Sequence, residues 1–492
     1  MRTVLIANRG EIAVRVARAC HQLGLRAVAV YSDADRGAPH TLAADRAVPI
    51  GPAPPTQSYL NVAALLAAAK AAGADAVHPG YGFLAESAAF ARAVEGAGLT
   101  WIGPPPDAIA TMGDKLAARA AVVRAGVPVV PGADTDAREA ARHAAALGYP
   151  VLVKAAAGGG GKGMRTVASE AELPDALAAA RREAESAFGD GRVYLEKLLV
   201  RPRHVEVQVL GDQHGTLVHL GERECSIQRR HQKIIEETPS TAVTPRLRAD
   251  MTAAAIAAAR AVGYTSAGTV EFLLGADGRF HFLEMNTRIQ VEHPITEWVT
   301  GIDLVAAQLR VAAGEPLGFA QADVRVSGHA IEARLYAEDP AAGFFPSAGP
   351  ILALREPAGP GIRVDSGMAA GGVVPVDYDP LLSKLSAWGP DRVTALERLL
   401  GALRETAVLG PTTNLAFLQD VLAHPAFRRG ETHTGFLAEH FPAWRAAAGD
   451  ESSAALVAAL AISRPGAPAA DARGPAAAPT PWETLGAWRL GH

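Results

Sequence analysis

Cysteine is scarce in this sequence of 492 residues, which contains only Cys20 and Cys225. Two cysteines so far apart exclude a disulfide framework or a zinc cluster and are typical of a reducing compartment. The net charge is only −4, which gives no reason to expect nucleic acid or a membrane as partner. The apolar run at the start is broken at once by Arg9 and Glu11, which excludes a signal peptide or a membrane span. We therefore expect a cytoplasmic protein.

The composition is that of a globular protein with a substantial core. Hydrophobic residues make up 49% of the chain and charged residues 20%. A length of 492 residues predicts roughly three domains of ordinary size.

The first hundred residues alternate between strand and helix patterns. Strands are predicted at 3–7, 26–31, 76–78 and 100–102, and helices at 11–23, 61–72 and 86–97. This alternation predicts a doubly wound parallel sheet, an α/β fold in which ligands bind at the carboxyl ends of the strands. The turn-rich segment HPGYGF, residues 78–83, lies at such an end.

After residue 115 the pattern becomes richer in paired strands. Strands are predicted at 150–154 and 192–199, paired strands at 203–210 and 216–220, and a hairpin at 269–274 and 279–285. A third region, about 326–440, mixes strands with helices such as 392–406. Residues 463–481 are rich in proline and alanine, and we expect this linker to lead to a further module.

The hairpin carries the strongest chemical signal. A two-residue Asp277-Gly278 turn would pair Ala276 with Arg279 and set Glu271 directly opposite Glu284. Large apolar neighbours predict that the two carboxylates are partly buried, where they require a cation or a shared proton. Oxygen ligands of this kind suit Mg²⁺ bound with phosphate. The alternative is an exposed edge hairpin with solvated glutamates.

Polar residues continue from this hairpin in strict alternation. An extended strand would place Glu284, Asn286, Arg288, Gln290 and Glu292 on one face. Such a row would span about 25 Å at about 3.3 Å per residue. It could hold a metal and phosphate at one end and a second substrate at the other, although a surface strand alternates in the same way.

A glycine run at 158–163 follows the strand that ends in Lys154. Its backbone N–H groups could approach phosphate closely, but the run is not a Walker A loop, because Gly163 replaces the required serine or threonine. A flexible loop is the simple alternative. With Lys154 upstream and the carboxylate hairpin downstream, the pattern favours a mobile nucleotide lid.

The stretch ERECSIQRRHQK, residues 222–233, is strongly basic. It indicates a solvated face or an anion site for bicarbonate or phosphate, and the lack of interleaved aromatic residues argues against nucleic acid. The sequence has no GxSxG nucleophile elbow.

Eight motifs together resemble the biotin carboxylase component of biotin-dependent carboxylases, a family of the ATP-grasp superfamily. They are IANRGEIAVR (6–15), HPGYGFLAES (78–87), MGDK (112–115), GGGGKGMR (158–165), RHVEVQVLGD (203–212), ERECSIQRRHQK (222–233), EMNTRIQVEHPITE (284–297) and AEDP (337–340). The resemblance implies a multidomain α/β and α+β fold. An N-terminal domain would span 1–114, an ATP-grasp domain 115–325 with its lid at about 130–203, and a mixed C-terminal domain 326–445. Residues 446–492 would be a linker and the start of a further module.

The resemblance also implies a role for individual residues. ATP would bind Lys115, Lys154, Gly159, Gly160, Gly161, Gly163, Glu196, Lys197, Leu199, His204, Gln228 and His231. Mg²⁺ or Mn²⁺ would bind Glu271, Glu284 and Asn286. Bicarbonate would bind Lys233, Arg288, Gln290 and Val291, with Glu292 as the base that deprotonates it. Arg334 would stabilise the enolate form of biotin, and Tyr81 would pack near the biotin ring.

The implied reaction consumes ATP and bicarbonate, forms carboxyphosphate and carboxylates biotin on a carrier. None of the six methionines is beside a lysine, so the sequence lacks a biotinylated Met-Lys-Met motif. The resemblance therefore implies a carrier domain or protein as partner, together with a carboxyltransferase and a second copy of this component. The segments 378–385 and 410–418 are most similar to acyl-CoA carboxylase α-chains. Two alternatives remain: another ATP-grasp carboxylate–amine ligase, and a nucleotide-binding regulatory protein without catalysis.

Overall fold

The computed structural model describes residues 1–134, 139–156, 164–230 and 232–446. The glycine run at 158–163, His231 and the tail from 447 lie outside these described residues. The strands are β1 Thr3–Ile6, β2 Arg26–Ser32, β3 Arg46–Gly51, β4 Ala76–His78, β5 Thr100–Trp101, β6 Gly132–Asp134, β7 Val151–Ala155, β8 Arg165–Val167, β9 Val193–Lys197, β10 Arg203–Gly211, β11 Leu217–Arg229, β12 Gln232–Thr238, β13 Ser266–Leu274, β14 Phe280–Asn286, β15 His329–Tyr336, β16 Glu338–Asp339, β17 Phe345–Pro346, β18 Gly349–Pro350, β19 Ala353–Arg355, β20 Ile362–Ser366, β21 Val373–Val374, β22 Leu381–Gly389 and β23 Ala407–Leu409. The helices are α1 Gly10–Gln22, α2 Pro39–Ala43, α3 Val62–Ala72, α4 Ala88–Gly96, α5 Pro106–Gly113, α6 Lys115–Arg124, α7 Ala140–Leu147, α8 Leu173–Phe188, α9 Pro245–Arg260, α10 His293–Thr300, α11 Leu304–Ala312, α12 Arg392–Glu405, α13 Leu415–Ala423, α14 Pro425–Arg428 and α15 Phe436–His440.

The N-terminal region contains the predicted parallel sheet. Its strands lie in the order β3-β2-β1-β4-β5, and every neighbouring pair is parallel. The sequence pattern does not predict β3, because Pro49 interrupts it. In the structure β3 lies at the sheet edge, where proline's missing N–H need not break the ladder.

The segment HPGYGF forms the turn after β4. Gly80 has φ of +63°, and a Cβ there would lie 2.8 Å from the Asn8 amide nitrogen, so glycine is required. Helix α4 begins at Ala88 rather than at the predicted residue 86, because the Ser87 side chain caps it by accepting from Phe90 N. Glu86 therefore remains outside the helix.

Two antiparallel sheets follow. The smaller has the order β6-β9-β7-β8. The larger has the order β14-β13-β10-β11-β12-β15-β22-β20, and the β12–β15 ladder carries it across residue 325 into the C-terminal region. Strand β11 extends to Arg229, well beyond the predicted end at residue 220.

The two faces of the large sheet differ in polarity near β15. Ile331, Ala333 and Leu335 pack into an apolar core that includes Leu396 and Leu399 of α12. The opposite face, beneath α10, carries Glu332 and Arg334. None of the described helices combines the length and the hydropathy of a membrane span.

Candidate active site

Glu271 on β13 lies directly opposite Glu284 on β14, as predicted. The predicted turn is wrong, because Gly275 N donates to Arg279 O at 2.8 Å, leaving a loop of three residues, 276–278. Gly278 has the left-handed φ of +76° that is common in such loops. The longer loop shifts the pairing of the two strands by one residue from the predicted register. A β-bulge next to Glu271 shifts it back by one residue, and Glu271 therefore still pairs with Glu284.

Glu271 is buried and well supplied with donors. Its Oε1 accepts from Lys233 Nζ at 2.8 Å, Asn286 Nδ2 at 2.8 Å and Gln290 Nε2 at 3.1 Å. His204 Nε2 lies 2.8 Å from Oε2. Burial raises the pKa of Glu271, but Lys233 and His204 outweigh it, so the pKa lies below its ordinary value. Glu271 is therefore ionised at neutral pH.

Glu284 has the opposite environment. Its carboxylate forms no ion pair or hydrogen bond with another residue within the described ranges. Burial and the neighbouring charge of Glu271 raise the pKa of Glu284, against the influence of Lys115. Two facing carboxylates, of which Glu284 has no cation in contact among the described residues, suit a divalent cation that prefers oxygen ligands. Asn286 lies beside them, with its amide nitrogen on Glu271 and its amide oxygen accepting from Arg288.

The extended polar row predicted at 284–292 is wrong beyond Asn286. Strand β14 ends there, and the chain turns before α10 begins at His293. The turn nevertheless brings Arg288, Gln290 and Val291 to the same cavity. The sequence pattern therefore identified the polar residues of the site correctly, but a bend in the chain, and not an extended strand, brings them together.

Two lysines flank this pair of carboxylates. Lys115 begins α6, and burial together with Lys154 lowers its pKa. Lys154 on β7 is buried and donates to Glu196 Oε2 at 2.9 Å, so its pKa is raised despite burial. Both lysines line the cavity that Glu284 lines.

Further residues predicted to bind ATP belong to the same cavity. Glu196, Lys197 and Leu199 all line it. The Glu196 carboxylate is occupied by Lys154, and Lys197 Nζ donates to Gly148 O at 2.7 Å. At the same cavity Gln228 Nε2 lies 3.3 Å from His204 Nδ1.

The described residues of the basic stretch at 222–233 include the end of β11 and the start of β12. Arg223 is fully buried and donates to Glu206 Oε1 at 2.6 Å, and Arg229 donates to Glu338 at 2.7 Å. The interpretation of this stretch as a solvated face is therefore wrong for these two residues. Lys233 also points inward, where it contacts Glu206, Glu271 and Glu292.

Glu292 is completely buried at the N-terminus of α10. It accepts from Lys233 Nζ at 2.8 Å and from Arg334 Nη2 at 3.0 Å. Burial opposes its charge, but Lys233 and Arg334 hold the pKa of Glu292 well below its ordinary value. The site thus contains a fixed carboxylate between two cations.

Two cavities share part of their lining, including Arg334. The first, about 420 Å³, contains the lysines and the glutamate pair described above. The second, about 440 Å³, is lined by Tyr81 and residues of the N- and C-terminal regions. Gln232, Arg288, Val291 and Arg334 line both. A group in one cavity can therefore reach a group in the other.

Sequence reasoning missed three acidic residues of the site. Glu206 accepts from Arg223 and Lys233, Glu236 accepts from Arg334 Nε at 2.6 Å, and Glu86 accepts from Arg288 Nε at 2.9 Å. Each lies within or beside a motif, but nothing in the sequence pairs it with its distant arginine or lysine. The order of strands in the sheet brings Glu206 and Glu236 to their partners, and the packing of the segment before α4 against the turn after β14 brings Glu86 to Arg288.

Three family models match successive parts of the chain. They are the biotin carboxylase N-terminal domain at residues 1–109, the carbamoyl-phosphate synthase L chain ATP-binding domain at 114–320, and the biotin carboxylase C-terminal domain at 332–439.

Similar proteins extend over most of the chain. Biotin carboxylase of Haemophilus influenzae is 50% identical over 88% of this chain and 97% of its own. Biotin carboxylase 2 of Bacillus subtilis is 50% identical over 89% of this chain and 99% of its own. The propionyl-CoA carboxylase alpha chain of Ruegeria pomeroyi is 48% identical over 89% of this chain and 68% of its own.

A solved structure shares the fold. The biotin carboxylase domain dimer of Hydrogenobacter thermophilus 2-oxoglutarate carboxylase, in complex with MgADP, ADP and bicarbonate, has a TM-score of 0.87 and 46% identity. The match covers 91% of this chain and 99% of that one. The chain belongs to the biotin carboxylase family, ATP-dependent ligases of the ATP-grasp type.

Proposed function

We propose that this chain uses Mg-ATP and bicarbonate to carboxylate biotin on a carrier, as the biotin carboxylase component of an acyl-CoA carboxylase. One observation carries the proposal: Arg334 lines both cavities, and its guanidinium donates to the buried carboxylate of Glu292 at 3.0 Å. With this arrangement Glu292 could act as a base on bicarbonate in the first cavity, and Arg334 could stabilise the biotin that accepts the carboxyl group in the second.

The first cavity would bind the nucleotide. Lys115 and Lys154 would contact the phosphates, and their positive charge would offset charge that develops on the γ-phosphate. His204 and Gln228 would lie near the ribose. Adenine would lie against Glu196, Lys197 and Leu199. The predicted lid contacts of Gly159, Gly160, Gly161 and Gly163, and that of His231, remain predictions.

Glu271, Glu284 and Asn286 would hold Mg²⁺ or Mn²⁺. The metal would supply positive charge that offsets the negative charge of the ATP phosphates and so lowers their repulsion of bicarbonate. The charge deficit at Glu284 supports this assignment, since its carboxylate has no cation in contact among the described residues.

Bicarbonate would bind Lys233, Arg288, Gln290 and Val291. Glu292 is ionised and so can accept a proton, but its low pKa makes it a weak base. The cations around bound bicarbonate would lower the pKa of its hydroxyl group. The pKa values of bicarbonate and Glu292 would then be closer, which makes proton transfer easier. The deprotonated oxygen would attack the γ-phosphorus, releasing ADP and forming carboxyphosphate.

The second cavity would accept biotin. Arg334 would contact its ureido group, and Tyr81, which lines the same cavity, would pack against the ring. We propose domain limits at residues 114, 325 and 445. We also infer a biotinylated carrier and a carboxyltransferase as partners, a second copy of this component in the assembly, and a cytoplasmic location.

Coupling of ADP release to bicarbonate tests the proposal. With the purified chain, Mg-ATP and free biotin, we expect ADP release to require bicarbonate and to increase with biotin concentration. A carboxylate–amine ligase of the same superfamily would turn over without bicarbonate once given its own substrates. ADP release that is indifferent to bicarbonate would contradict the proposal.

A further inference from the structure

Glu332 on β15 is a completely buried acid without an assigned role. It lies directly opposite Glu236 on β12 and Ser386 on β22. Neither carboxyl oxygen of Glu332 has a hydrogen-bond partner in the part of the chain that the structure describes, and Oε2 of Glu236 has none either. Two acidic side chains thus face each other, and three of their four carboxyl oxygens have no hydrogen-bond partner among the described residues.

The cations nearest to Glu332 are already paired. Arg334 donates to Glu236 at 2.6 Å and to Glu292 at 3.0 Å. Lys384 lies 3.1 Å from the Glu11 carboxylate and donates to a backbone carbonyl at 2.8 Å.

The other cations that the described elements bring to this face are paired as well. Arg15 of α1 contacts Glu297 at 2.9 Å and Asp303 at 2.7 Å. Arg363 of β20 is paired with Asp365 at 2.7 Å and with Glu297 of α10 at 2.6 Å. His293 of α10 is neutral, because burial and Lys384 hold its pKa well below the ordinary value. Glu297 and Asp365 carry negative charge. An ionised Glu332 would therefore be an uncompensated buried charge, which is strongly unfavourable.

Burial raises the pKa of Glu332 well above its ordinary value, and the charge of Glu236 adds to this against the influence of Lys384. Burial likewise raises the pKa of Glu236, to about 7, although Arg334 contacts it. Two adjacent carboxyls in a dry site cannot both ionise easily. The acid in contact with the guanidinium is the one that gains from being charged.

We propose that Glu332 is protonated in the resting protein and acts as a positioning residue, so that only Glu236 and Glu292 supply the charge that orients Arg334. The inference rests on the proposed function, in which Arg334 contacts biotin. A third negative charge beside Arg334 would weaken the positive potential that the guanidinium presents to the second cavity. A protonated Glu332 fills the space beside Glu236 and adds no negative charge near Arg334.

A matched pair of neutral, equal-sized substitutions tests the proposal: Glu332→Gln and Glu236→Gln. At pH 8, where Glu11 and Glu236 with their pKa of about 7 are mostly ionised, infrared spectra of the full chain should show a carboxylic acid band that shifts in D₂O. We expect this band to be lost in Glu332→Gln. The band does not depend on turnover, so it separates this inference from the proposed function, which bicarbonate-dependent ADP release tests.

Kinetics with free biotin provide the second measurement. Loss of a charge-assisted contact costs about 1.5–3 kcal/mol, so Glu236→Gln should raise KM for biotin at least about tenfold while KM for ATP changes little. Glu332→Gln preserves the neutral group and should change the same KM by less than about threefold. A retained acid band in Glu332→Gln, or a biotin KM raised as much as in Glu236→Gln, would overturn the proposal.

Discussion

At one end of the active site two glutamates face each other and only Glu271 has a cation in contact among the described residues, whereas at the other end one glutamate lies between two cations. Glu284 has no cation in contact among the described residues, and its pKa is raised. Glu292 contacts Lys233 and Arg334, and its pKa is well below the ordinary value. A glutamate side chain is thus suited to binding a metal at one end and to accepting a proton as a fixed, ionised carboxylate at the other. The neighbours, rather than the residue type, decide the role.

The largest expected effect comes from removing the charge at Glu292. Glu292→Gln should lower bicarbonate-dependent ADP release at least about 100-fold, the usual contribution of a general base. Binding of a non-hydrolysable ATP analogue should be unchanged, because the partners of Glu292 are Lys233 and Arg334 and not the lysines that would contact the phosphates. Rates and analogue binding would be measured on the same preparation. Normal carboxylation of biotin by this variant would refute the assignment.

A smaller effect is expected at Glu237, the residue next to Glu236 on the opposite face of β12. Glu237 contacts His329 at 2.8 Å and Arg392 at 2.6 Å, on the face of the sheet that packs against α12. Burial opposes its charge, but these partners lower the pKa of Glu237 from 4.5 to about 2. That difference corresponds to about 3 kcal/mol of stability.

Because the folded-state pKa is depressed, this stabilisation is present above pH 4.5 and is lost as the pH falls toward 2. Glu237→Gln should therefore be less stable than the natural chain by about 3 kcal/mol at pH 7, and the difference should shrink on acidification. Urea unfolding at several pH values would measure it. Equal destabilisation at pH 7 and pH 3 would contradict this account, and a loss of activity like that of Glu292→Gln would remove the contrast between the two faces.

The sequence predicted the parts of the fold that depend on local pattern. Alternating strands and helices gave the parallel N-terminal sheet, and helix 392–406 agrees with α12 to within one residue at its end. The Glu271–Glu284 pair was predicted correctly, although through a turn of the wrong length. The error arose because an Asp-Gly pair fits both two-residue and three-residue loops, and a bulge leaves no simple mark in the sequence.

The sequence could not predict contacts that depend on the order of strands in the large sheet. Glu206, Glu236 and Glu332 lie on β10, β12 and β15, and only the topology places their carboxyls near Lys233 and Arg334. The bend after Asn286 was also missed, since polar and apolar residues alternate through it as they would in a strand. Pattern identifies which residues are polar, and tertiary structure decides which of them meet.

Metal binding tests the central claim most directly, because the contrast between the two ends depends on Glu271 and Glu284 sharing a divalent cation. Paramagnetic resonance of Mn²⁺, titrated into the chain with a non-hydrolysable ATP analogue, would count bound metal and measure its affinity. We expect Glu284→Gln and Glu271→Gln each to weaken Mn²⁺ binding at least about tenfold, since each removes one charged ligand. Glu292→Gln should bind Mn²⁺ as the natural chain does. Unchanged Mn²⁺ affinity in both hairpin variants would contradict the account.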